Sequence, residues 1–127
     1  MHQGYIFDLE KKKVYLGEDR VLALLLKTDE DFYNMRTVVK NFEKNGFQVG
    51  CTKEVHDKVN GYYNGGLEKL MGVTSKMYSK ERMYPILKTE KFPTTAVDAI
   101  ISGLDGLNPA KYFDNIKKAL SKLPVLD

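Results

Sequence analysis

Apolar residues recur at every second position near the start of the chain, as Tyr5, Phe7 and Leu9, and Val14-Tyr15-Leu16 follows after Glu10-Lys11-Lys12-Lys13. This period of two predicts an N-terminal β-hairpin with lysines at its tip. Gly17-Glu18-Asp19-Arg20 then turns the chain into an unbroken apolar run, residues 21–26. Such a run reads as a strand buried on both faces, and a buried helix is the alternative that periodicity leaves open. Thr28-Asp29-Glu30-Asp31 has the form of a capping box, and Phe32, Met35, Val39 and Phe42 follow at helical spacing. Asn45-Gly46 closes that helix, Gly46 being suited to the left-handed C′ position, and a further strand begins over 47–51. Residues 21–51 therefore read as one βαβ unit.

The middle of the chain is punctuated by Asn60-Gly61, Asn64-Gly65-Gly66 and Gly72. Breaks at this density predict short helices near 53–59, 67–71 and 75–82, with a loop over 61–66 that carries Tyr62, Tyr63 and Asn64. Residues 84–88 read as a second buried strand, with Pro85 near its start where a missing amide is tolerated. Beyond Pro93, Thr94 or Thr95 is placed to cap a helix on Val97, Ile100, Ile101 and Leu104. Asn108-Pro109 opens a last helix with Tyr112, Phe113, Ile116, Ala119, Leu120 and Leu123 on one face, stopped by Pro124. The expected fold is a single α/β domain over 1–127. It has a mixed sheet, an N-terminal hairpin, one βαβ unit and two C-terminal helices.

Composition narrows the classes. A hydrophobic content of 43% and a charged content of 29% are those of an ordinary globular protein. No apolar run approaches the ~20 residues of a membrane span, and the first residues lack the basic-then-apolar order of a signal peptide. With Cys51 as the single cysteine, the expectation is a cytoplasmic protein with no disulfide and no membrane partner. The net charge is +3, and the whole surplus falls within residues 51–92. Only Arg20, Arg36 and Arg82 supply the planar fork that reads phosphates and guanines bidentately. Nucleic-acid binding through 51–92 is therefore the less favoured alternative.

An apolar-Lys-Thr-acidic pattern occurs twice, as Leu25-Leu26-Lys27-Thr28-Asp29 and Ile86-Leu87-Lys88-Thr89-Glu90. If 21–26 and 84–88 are parallel neighbours, both Lys-Thr pairs emerge at the carboxyl edge of the sheet, where open α/β sheets place ligands. The candidate ligand-binding set is accordingly Lys27, Thr28, Lys88 and Thr89, with Tyr62, Tyr63 and Asn64 from the loop. Lysine charges, hydroxyls and a helix N-terminus suit a phosphorylated or carboxylated small molecule. Tyr and Asn beside Gly suit adaptable contacts to a protein.

Asp29, Glu30 and Asp31, together with Lys88, resemble the acidic cluster and the lysine of response-regulator receiver domains. No apolar strand ending in Asp lies between Val49 and Tyr84, so receiver function is not expected. The segment from Gly46 to Val49 is similar to the opening of caspase-like sheets, but their His-Gly and Cys motifs have no counterpart here. Cys51 and His56 lack an orienting third group. Cys51, His2 and His56 have no zinc-like spacing, and helix capping accounts for the acidic cluster. No cofactor, metal or catalytic set is expected. The function expected is that of a small non-catalytic binding protein for a protein partner or a small anionic ligand. An enzyme or sensor for such a ligand is the alternative.

Overall fold

The computed structural model describes residues 4–26, 35–72, 80–104 and 108–127. The hairpin forms as expected. Strand β1 (Tyr5–Asp8) pairs antiparallel with β2 (Lys13–Leu16), Tyr5 opposite Leu16 and Asp8 opposite Lys13. The turn is held by the Lys11 amide donating to Asp8 Oδ1 at 3.0 Å, with Lys12 in the left-handed region at φ 53°. Strand β3 (Gln48–Gly50) runs parallel to β2, so the mixed sheet has the order β1-β2-β3.

Residues 21–26 are helical, which corrects the expectation of a strand there. Helix α1 (Glu18–Leu26) begins with Glu18 and Asp19, acids that favour the positive end of the dipole. The run behind them is leucine and alanine, strong helix formers, with Val21 as its one β-branched residue. The parallel crossover therefore starts from β2 and passes through α1 and α2 (Met35–Lys44) before reaching β3. The capping box at Thr28 lies outside the described residues. The end of α2 is as expected: Gly46 takes φ 88°, and its amide and that of Phe47 donate back to Glu43 and Phe42, at 3.0 and 3.1 Å. These two bonds form a Schellman motif, and the accompanying apolar contact is Phe42 against Phe47.

Helix α3 (Lys53–Gly72) runs straight through the expected breaks, so 61–66 is not a loop. The apolar pair Val59 and Tyr63, four residues apart and both fully buried, supplies tertiary packing that outweighs the cost of Gly61, roughly 1 kcal/mol. Gly65 leaves room for the Glu90 carboxylate, whereas a Cβ on Gly61 would meet nothing within 4 Å. Gly61→Ala is accordingly expected to stabilise the fold by about 1 kcal/mol in urea denaturation, with an unchanged m value.

Helix α4 (Lys80–Thr89) replaces the strand expected at 84–88. Met83 and Leu87, one helical turn apart, are both buried, and Thr89 Oγ1 bonds the Pro85 carbonyl at 2.8 Å. Lys91 at φ 63° closes α4 in a second Schellman motif, its amide bonding the Lys88 carbonyl and the Phe92 amide the Leu87 carbonyl. Helices α5 (Thr94–Gly103) and α6 (Pro109–Lys122) are the two expected at the C-terminal end. Pro93 rather than a threonine occupies the α5 N-cap, so neither hydroxyl caps it, while Asn108 Oδ1 accepts from the Ala110 amide as anticipated. The core joins Val14, Leu16, Val21 and Leu22 to Tyr63, Leu87, Ile100 and Phe113.

Candidate functional site

Helices α1, α2 and α6 leave a cleft of about 660 Å³ between them. Leu24 and Leu25 reach it from the last turn of α1, and Val49 from β3. Arg36, Val39 and Glu43 line it from α2 at spacings of three and four, which places them on one helical face. Asn115, Lys118, Ala119 and Lys122 do the same from α6, followed by Leu123 and Pro124. The aliphatic lining comes from every element, while the polar groups come from α2 and α6. Among the described residues, Arg36, Lys118, Lys122 and Glu43 are its charged lining, and Arg36 is already engaged in an interaction of its own. Lys118 also pairs with Asp114 at 3.0 Å, but both side chains are more than half exposed and the pair is weak. The lining combines aliphatic side chains with basic ones.

None of the expected ligand residues that the structure describes lines this cleft. Lys27 and Thr28 fall outside the described residues. Lys88 sits at the end of α4 with its ammonium 5.8 Å from the Tyr84 ring centre, and Thr89 is turned onto Pro85. Tyr62 and Tyr63 do meet the end of α4, through Phe92, with ring centres 5.7 and 5.5 Å away. Asn64 is exposed on α3. Since 21–26 and 84–88 are helices, no pair of parallel strands carries the two Lys-Thr pairs to one sheet edge.

Tyr62 has a structural partner. Its hydroxyl donates to Glu18 Oε1 at 2.6 Å, and Lys58 reaches Glu18 Oε2 at 2.9 Å, tying the start of α1 to α3. Partial burial pushes the Glu18 carboxyl up, but the bonds from Tyr62 and Lys58 outweigh it and hold the pKa below the usual value. A depressed carboxylate stabilises the fold above its unfolded pKa, and that contribution is lost as pH falls through the folded one. Tyr63 is fully buried beside Phe92 and Phe113, and its hydroxyl has no hydrogen-bond partner among the described residues. Burial pushes that hydroxyl far above the tyrosine range.

Cys51 and His56 do not form a nucleophilic pair. Burial, with a smaller effect from Asp127, raises the Cys51 thiol to about 11, and His56 Nε2 lies 3.1 Å from the Leu120 carbonyl. No group of metal-ligating side chains gathers among the described residues. Reasoning from sequence missed Arg36, Asn115, Lys118 and Lys122. Their helical spacing was visible, but a polar helical face reads as solvated until its apposition to a second such face is known. Comparison with protein-family models, with curated proteins and with solved structures finds no match.

Proposed function

We propose that this chain is a small non-catalytic binding protein whose α1–α2–α6 cleft takes an organic anion with an apolar body. The observation that carries this reading is the cleft itself, about 660 Å³ of space lined by aliphatic side chains and by Arg36, Lys118 and Lys122. That volume falls in the range of small-molecule sites, which are apolar with a few oriented polar groups. The apolar body would enter against Leu24, Leu25 and Val39, and its carboxylate, sulfonate or phosphate would meet the basic side chains. Charge-assisted bonds there contribute orientation as well as affinity.

The test is titration with anilinonaphthalene sulfonate, an apolar fluorophore bearing one anion, with decanoate as competitor. Saturable binding displaced by decanoate is expected. Lys118→Glu combined with Lys122→Glu should weaken it by about tenfold or more, the loss of one to two charge-assisted contacts. Both lysines lie on α6 away from its buried face, so the variant should keep its circular dichroism spectrum. Absent or unsaturable binding, or binding indifferent to the charge reversal, defeats the proposal.

A further inference from the structure

Strand β1 is the outer strand of the sheet, and it carries the most exposed apolar side chains among the described residues: Ile6 at 59%, Phe7 at 45% and, just beyond it, Leu9 at 70%. The Gly17 amide donates to the Gly4 carbonyl at 2.5 Å, and this fixes the phase of the ladder. Gly4, Ile6 and Asp8 turn their backbone groups toward β2, so those of Phe7 point away from the sheet. Natural edge strands are protected by lysine, proline, a bulge or a covering element. Residues 5–8 contain neither lysine nor proline, and their register with β2 runs without interruption.

We infer that β1 is a self-association edge: two copies of this chain pair antiparallel through β1 about a two-fold axis, making one continuous six-stranded sheet. Three observations select this occupant. Ile6 lies on one face of the sheet and Phe7 on the other, so a helix or a flat surface would cover only one of them. A strand added in the plane covers both. Secondly, Ile6, Phe7 and Leu9 together expose roughly 300 Å², divided between the two faces of the strand. Doubled by symmetry this is roughly 600 Å², the scale of a weak contact that forms only as concentration rises. Thirdly, the charges favour the antiparallel arrangement. It lays the Asp8 end of one strand beside the Gly4 end of the other, so the two Asp8 carboxylates do not face each other. It also keeps the two runs of Lys11, Lys12 and Lys13 at opposite ends, whereas a parallel pair would set them side by side.

Two-fold symmetry requires one residue of the strand to face its own copy, and the apolar strip places Ile6 or Phe7 there. The experiment combines sedimentation velocity over a wide concentration range with cysteine cross-linking. Wild type should associate to a dimer as concentration rises. Ile6→Lys alters a solvent-facing side chain and should fold normally by circular dichroism, while dimerisation weakens by about tenfold or more from like charges at the interface. Under mild oxidation, one of Ile6→Cys and Phe7→Cys should give a covalent dimer, since facing residues on paired strands lie within disulfide reach. The buried Cys51 leaves the background low. A wild type monomeric throughout, association untouched by Ile6→Lys, or no cross-link from either cysteine variant overturns the inference.

Discussion

Truncation of Phe113 to alanine is expected to cost about 3–5 kcal/mol of folding free energy, a large share of what a domain of this size possesses. Phe113 is fully buried in α6, and its ring centre lies 5.8 Å from that of Tyr63, 6.3 Å from Phe92 and 5.6 Å from Tyr112. It is therefore the point where α6 meets α3 and the segment between α4 and α5. Removing the ring forfeits its transfer free energy and leaves a void that three aromatic neighbours and the rigid helices around them cannot close. Urea denaturation should show the midpoint fall with little change in slope, and Phe113→Leu should recover more than half of the loss. A loss below about 1 kcal/mol for alanine would mean that the aromatic cluster repacks freely, against the density of normal interiors.

The second large effect is expected at Gly50. A Cβ there would overlap the Pro124 carbonyl oxygen and come within 2.8 Å of Leu126 Cγ. The oxygen is backbone, and it accepts the Cys51 amide at 3.0 Å, while the Leu126 amide returns to the Cys51 carbonyl at 3.0 Å. Gly50→Ala should therefore dislodge residues 124–127 from the edge of β3, at a cost of about 1–3 kcal/mol. Cys51 offers an independent readout. It is buried beneath this tail, and its thiol, raised to about 11, resists ionisation at neutral pH. In Gly50→Ala its modification by a thiol reagent under native conditions should accelerate about fivefold or more, as the local opening free energy falls by that energy. Unchanged reactivity with unchanged stability would show that the tail tolerates the methyl group.

Features governed by local chemistry were legible in the sequence. The hairpin followed from alternation, the end of α2 from Gly46, and the start of α6 from Asn108-Pro109. In each case a side chain or a φ preference acts on its own immediate backbone. The errors share another physical origin. Residues 21–26 are buried or half-buried throughout, so their apolar character carries no period, and 84–88, with Pro85 and Lys88 exposed, is too short to show one. Only the leucine and alanine content of the first separates helix from strand. For α3, burial of Val59 and Tyr63 overrides glycines whose local preference is real but small. The cleft was hidden for a related reason. Arg36 and Lys122 are far apart in the chain, and only the packing of α2 and α6 against α1 brings them to one cleft.

Helix α1 has two unlike attachments. At its first turn Glu18 is held by Tyr62 and Lys58, and at its last turn Leu24 and Leu25 form a wall of the cleft. Nine residues of helix make a rod roughly 13 Å long, with little give along its axis. Protonation of Glu18 removes the pair with Lys58, while Val21 and Leu22 stay buried in the core, so acid loosens the first turn of the rod and not its seat.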